Sequence, residues 1–141
     1  MSKVAVVYWS GTGNTEQMAQ AVLDGVKSAG ADADLLTCSE FSSAKAADYS
    51  AFAFGCPAMG DEVLEEGEFD PMFTECESSL SGKKVFLFGS YGWGDGAWME
   101  NWKERCASDG VVLASDPVIC MNAPEDDTLE ALKAAGIELS K

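Results

Sequence analysis

Short apolar runs alternate along this chain with longer stretches in which apolar residues recur every three or four positions. The runs predict strands over residues 3–9, 33–37, 51–55, 85–89 and 111–121. The stretches between them predict helices. The first carries Met18, Val22, Val26 and Ala29 on one face, with Gly30 as its stop. A short one covers 44–48. The third runs from Phe69 through Met72, Phe73, Cys76 and Leu80, with Pro71 tolerated in its first turn and Gly82 ending it. The fourth places Trp98, Trp102 and Cys106 four residues apart, which makes both tryptophans core or half-buried, and ends at Gly110. The last starts near Glu125, acidic first, with Leu129 and Leu132 inward.

Strand, helix, strand repeated in this way implies an α/β fold: a doubly wound five-stranded parallel sheet with helices on both faces. Right-handed crossovers leave few topologies. Order 2-1-3-4-5 sets strands one and three side by side at a switch point, where ligands bind outside the carboxyl ends of the strands. Strand two is polar enough for a sheet edge. Strand five, broken by Ser115-Asp116-Pro117, suits the other edge.

At 141 residues one domain spanning 1–141 is expected. Nine Lys+Arg against 24 Asp+Glu give a net charge of −15. Nucleic acid is thereby excluded as an expected partner, because phosphate contacts need cations. The same charge fits fast docking to basic protein surfaces, or serves solubility alone. There is no histidine, so no His-based triad or His metal site is expected. The five cysteines are odd in number and form no Cys-x-x-Cys pair, which argues against zinc or iron–sulfur ligation; no metal is expected. No run reaches membrane-spanning length and the N-terminal run is too short for a signal peptide, so a cytoplasmic protein is expected.

Three unusual loops fall at the carboxyl edge. The first, Ser10-Gly11-Thr12-Gly13-Asn14-Thr15, joins strand one to the first helix. Such a loop offers backbone N–H groups and the positive end of a helix dipole to an anion, most simply a phosphate. It has no lysine, so it is not a Walker loop, and Glu16 replaces the third glycine of the dinucleotide pattern. The bland alternative is a glycine-rich helix cap. The second loop is Pro57-Ala58-Met59-Gly60-Asp61-Glu62, where Gly60 tolerates backbone angles that other residues resist. Read alone, it fits a surface turn. The third, Ser90-Tyr91-Gly92-Trp93-Gly94-Asp95-Gly96, sets a large aromatic among glycines, which suits stacking on something flat or docking to a protein. Trp9, at the end of strand one, reads as packing. Cys56 reads as a small packed thiol. The loop 121–127 either edges the site or merely connects strand to helix.

Together, Tyr8 to Thr15, Gly55 to Glu62 and Gly89 to Gly96 resemble the flavodoxin family, in particular the short-chain flavodoxins of anaerobic bacteria such as clostridia. The resemblance runs through the whole chain in order and spacing. It implies a flavodoxin-like fold, non-covalently bound FMN and one-electron transfer between redox proteins, without a substrate of the chain's own. By resemblance, Ser10, Gly11, Thr12, Gly13, Asn14 and Thr15 hold the FMN phosphate. Met59 and Trp93 lie on the two faces of the flavin, and Glu62 accepts from its N3–H. Ala58, Gly60, Asp61, Ser90, Tyr91, Gly92, Gly94 and Asp95 complete the site, and the Gly60-Asp61 peptide responds to the redox state. The implied partners are ferredoxin-type reductases and oxidoreductases with basic docking faces, met by a monomer whose acidic residues near Asp61, Glu62, Glu65, Glu66 and Asp95 rim the flavin. A solvated acidic face reads equally well there. An FMN-dependent quinone or nitro reductase on the same fold is the enzymatic alternative; Trp93 over one flavin face would obstruct its hydride donor. A signalling receiver would need an acidic cluster after strand one and an Asp after strand three, where Ser10-Gly11 and Gly55-Cys56 stand.

Overall fold

The structure is a computed structural model that describes residues 3–11, 13–59, 63–92 and 96–141. Its sheet is parallel throughout. β1 (Lys3–Tyr8) lies between β2 (Asp32–Thr37) and β3 (Ala51–Gly55), and β3 pairs with β4 (Lys84–Tyr91). The order is the expected 2-1-3-4-5. The helices are α1 (Asn14–Ser28), α2 (Ser43–Ala46), α3 (Phe69–Cys76), α4 (Ala97–Ser108) and α5 (Asp126–Leu139).

Five details depart from the sequence pattern. The expected fifth strand is two strands, β5 (Val112–Leu113) and β6 (Val118–Met121), both paired with β4. Pro117, which lacks an N–H to give a ladder, falls in the gap between them. Because β6 pairs with residues 88–91, β4 runs on to Tyr91 rather than stopping at Gly89. α3 ends at Cys76, and a 3₁₀ turn over Glu77–Ser79 tightens the chain so that Leu80 still reaches the core. α2 starts and stops earlier than expected, and Ala29 is the exposed C-cap of α1 rather than part of its buried face.

Two cores flank the sheet. One packs Phe52, Phe54, Phe69, Phe73, Trp98 and Trp102 beneath α3 and α4, with Phe54 edge-on to Phe73 at 5.1 Å. The other packs Val4, Val6, Phe86 and Phe88 against Met18, Val22 and Val26 of α1 and Leu132 of α5. Each such side chain contributes about 1.5–3 kcal/mol when fully buried. α1 and α5 approach backbone to backbone: a Cβ on Gly25 would sit 2.1 Å from the Lys133 carbonyl oxygen, and one on Gly136 2.4 Å from that of Val22. No helix among the described residues is long and apolar enough to cross a membrane.

Arg105 ties α4 to the α3 region. Its guanidinium donates to both oxygens of Glu77 at 3.0 and 2.6 Å and to Asp70 at 3.0 Å, and it lies 4.9 Å from the Phe73 ring centre. The Glu77 carboxylate pushes the carboxyl of Asp109, the C-cap of α4, up to about 6, and burial adds to the shift. A raised carboxyl favours folding while it is protonated. That contribution is present below the usual value of 3.8 and is lost as the pH rises through about 6. Asp109→Asn keeps the neutral form at every pH. It is therefore expected to raise Tm at pH 7 and to flatten the fall in Tm between about pH 4 and 6; thermal melts across that range check this, and an unchanged profile would contradict it.

Candidate functional site

The carboxyl ends of β1, β3 and β4 form the floor of a cleft. The ladders continue past the ends of β1 and β3: Trp9 N–H donates to Gly55 at 3.0 Å, Cys56 N–H to Phe88 at 3.2 Å and Ala58 N–H to Ser90 at 3.0 Å. The chain therefore leaves all three strands in register, and the cleft opens above them with a volume of about 240 Å³. Gly11 and Asn14 of the first loop, Ala58 and Met59 of the second, and Ser90, Tyr91 and Gly92 of the third line it, together with Trp9, Pro57 and Asn122.

The first loop is built to expose a helix start. Gly13, at φ 95°, is the N-cap of α1, a left-handed conformation that favours glycine. Its N–H donates to Ser10 Oγ at 3.0 Å, which folds the loop back on itself. Among the described residues no side chain caps α1, and the helical bonds begin with Gln17 N–H to the Gly13 carbonyl at 3.1 Å. First-turn N–H groups are thus left for a ligand, at the positive end of a 15-residue helix. The Thr15 hydroxyl is buried, 3.4 Å from that of Ser90, and ties the first loop to the third. Glu16 is turned to Tyr8, whose hydroxyl donates to it at 3.2 Å. Burial, then the Glu16 charge, pushes the Tyr8 phenol up.

In the second loop an antiparallel bridge joins Met59 to Val63: Met59 N–H donates at 2.8 Å and Val63 N–H at 3.0 Å. Met59 remains 36% exposed at the cleft. Cys56 is fully buried, with its thiol accepting from Glu65 N–H at 3.3 Å, and burial drives its pKa far up. In the third loop, Tyr91 packs on Trp98 at 5.5 Å, and Trp98 Nε1 donates to the Cys56 carbonyl at 3.1 Å. One core tryptophan thereby holds two walls of the cleft.

Two lining residues were not legible as such. Trp9 packs against the core, as the sequence suggests, but it also forms a wall of the cleft, its Nε1 donating to Glu68 at 3.2 Å. Asn122 lies in the loop left open between two readings, and the structure brings it to the cleft. It is the one non-glycine residue with positive φ among those described, at 60°. Asparagine tolerates that region, and a lone Asn after a strand was the available signal. Its N–H donates to the Tyr91 carbonyl at 2.8 Å. Thr12, Gly60, Asp61, Glu62, Trp93, Gly94 and Asp95 lie outside the described residues. Among the described residues no group of three or more His, Cys, Asp or Glu could hold a metal.

A family model described as flavodoxin matches residues 6–136. The flavodoxin of Clostridium beijerinckii is 46% identical over 121 residues, covering 86% of this chain and 88% of that protein. The chain belongs to the flavodoxin family. The Megasphaera elsdenii flavodoxin is 45% identical over 125 residues, 86% of this chain and 91% of that protein. The solution structure of that flavodoxin in its two-electron reduced form superposes with a TM-score of 0.88 at 42% identity, covering 97% of this chain and 98% of the other. Flavodoxins are electron carriers rather than enzymes, and their cofactor is FMN. The cleft fits such a group on its own terms. It pairs an uncapped helix start, suited to a phosphate, with apolar and aromatic walls suited to a flat ring, and no described lining residue is charged.

Proposed function

We propose that this flavodoxin is a low-potential one-electron carrier whose FMN passes between oxidised, neutral semiquinone and anionic hydroquinone states. The observation that carries the reading is the cleft itself, where a phosphate-ready helix start and an apolar slot are combined without a cation among the described lining residues. Residues 10–15 hold the phosphate, Met59 and Trp93 flank the ring, and Glu62 accepts from N3–H. Ala58, Gly60, Asp61, Ser90, Tyr91, Gly92, Gly94 and Asp95 complete the contact within a single FMN-binding unit. Bound FMN supplies the redox chemistry, and the chain sets its potentials. Both the apolar walls and a net charge of −15 oppose the gain of negative charge at the second reduction. A hydrogen bond made in one redox state only, worth about 1 kcal/mol, moves a one-electron potential by roughly 40 mV, at about 59 mV per tenfold.

The partners are redox proteins with basic docking faces, met by a monomer in the cytoplasm. Met59, Val63 and Met121 are among the few exposed large apolar residues, and each lies at the cleft or beside a residue that lines it or is bridged to one that does. They supply an apolar centre within acidic surroundings.

Stepwise anaerobic reduction of the FMN-loaded protein is expected to accumulate a blue neutral semiquinone. Direct two-electron bleaching would sink the reading. Gly60→Val is expected to lower semiquinone stability more than it weakens binding of oxidised FMN, and equal losses would argue against a peptide that responds to redox state.

A further inference from the structure

Glu65 makes more internal bonds than an acidic residue on a docking rim would. Its carboxylate accepts from three consecutive backbone N–H groups: Gly67 at 2.8 Å through Oε2, and Glu68 at 2.7 Å and Phe69 at 2.8 Å through Oε1. Its own N–H donates to the buried Cys56 thiol, and its carbonyl accepts from Asp70 N–H at 2.9 Å. Burial raises this carboxyl, but the N–H groups of Phe69, Glu68 and Gly67 together hold it below its usual value. A surface charge recruited only to meet a basic partner has no need of five such bonds.

These bonds lead to two walls of the cleft. The chain leaves β3 at Cys56, passes Met59, is bridged from Met59 to Val63, and returns through buried Leu64 to Glu65, which is fastened back to Cys56. That stretch is therefore laced at two points, and Met59 lies on the inner one. On the other side, the carboxylate fixes the backbone at Glu68, and the Glu68 side chain accepts from Trp9 Nε1. Met59 and Trp9 both line the cleft. We propose that Glu65 is a positioning residue for the flavin site, one carboxylate holding the Met59–Val63 bridge and the Trp9 wall in a fixed relation. The proposal rests on the cleft being the FMN site.

The geometry orders the variants. In Glu65→Gln one oxygen still serves two N–H groups, while the amide nitrogen faces the Gly67 N–H donor to donor, so one bond is lost. Glu65→Ala loses all three. The expected order of FMN affinity is wild type, then Glu65→Gln, then Glu65→Ala, with Kd up at least threefold and at least tenfold. The two one-electron potentials should move as well, by about 59 mV for each tenfold by which the loss of affinity differs between adjacent redox states. Val22→Ala, in the core on the opposite face of the sheet, controls for lost stability alone. It should lower Tm and leave both potentials where they are.

Kd and both potentials are measured on all four proteins. If Glu65→Ala weakens FMN no more than Val22→Ala at an equal loss of Tm, with the potentials unmoved, Glu65 is a helix cap only and the proposal is overturned. Should Glu65→Ala fail to fold, Glu65→Gln decides: Kd and potentials equal to wild type overturn the proposal. A wild-type chain that takes up no FMN overturns the functional reading and the proposal with it, whereas uptake by wild type with unchanged Glu65 variants overturns the positioning role alone.

Discussion

Gly89→Ala is expected to cost about 3 kcal/mol of stability, the upper end of the range for overpacking a tight interior, and to weaken FMN binding at least tenfold. A Cβ at this position of β4 would sit 2.2 Å from the Cys56 carbonyl oxygen and 3.2 Å from the Trp98 ring. No flexible side-chain end can yield there, because the nearer atom is backbone. Relief requires that the Cys56 carbonyl turn away from Trp98 Nε1, or that the chain after β3 part from β4. Either movement disturbs Pro57 and Ala58 on one side of the cleft and Ser90 and Tyr91 on the other. Urea unfolding of the apoprotein and titration with FMN measure the two losses. A Gly89→Ala protein with wild-type FMN affinity would show that the floor does not set the cleft.

Gly25→Ala is the second large effect, and here two terms of opposite sign compete. Alanine in a helix interior gains roughly 1 kcal/mol over glycine. Against it stands the Lys133 backbone, whose carbonyl oxygen lies 2.1 Å and carbonyl carbon 2.8 Å from the new methyl. Gly136 faces the same crossing, so α5 has no small neighbour into which to shift. Pushing α5 outward strips cover from Leu132, Ala135 and Leu139, which share a core with Met18, Val22 and Val26. The clash wins, with a net loss of about 2–3 kcal/mol. At roughly 3–4 °C per kcal/mol for a chain of this length, Tm falls by about 6–12 °C. A stabilised Gly25→Ala protein would mean that the two helices do not meet glycine to glycine. FMN affinity should change little, since Gly25 lies toward the C-terminal end of α1, away from the helix start at Gly13 and Asn14.

The sheet order, the buried faces of α1, α3 and α4 and the three loops at one edge were legible because each rests on repetition. Period-2 or continuous apolar runs mark strands, and period-3.6 patterns mark helices. What was not legible rests on single contacts between distant parts. β4 reaches Tyr91 only because β6 arrives beside it, and Asn122 reaches the cleft by the same pairing. Trp9 reads as packing from its place at the end of the first apolar run; its second role depends on Glu68, 59 residues away. Glu65 reads as one more surface acid in a chain of 24 acidic residues, and only the fold shows three N–H groups converging on it. Local pattern reports which face is buried. It does not report which partner occupies the other side of a hydrogen bond.

The first loop has a further consequence. The phosphate site proposed there relies on a helix start uncapped among the described residues and on neutral donors, with no lysine or arginine between residues 10 and 15. A phosphate approaching it meets no local cation but does meet the repulsion of a protein carrying −15. Added salt shields that repulsion, while the short-range N–H contacts are little affected. Salt would likewise shield the attraction between this acidic protein and a basic partner. Ionic strength therefore acts in opposite directions on the two associations: it tightens the hold on the cofactor while it loosens the grip on the partner.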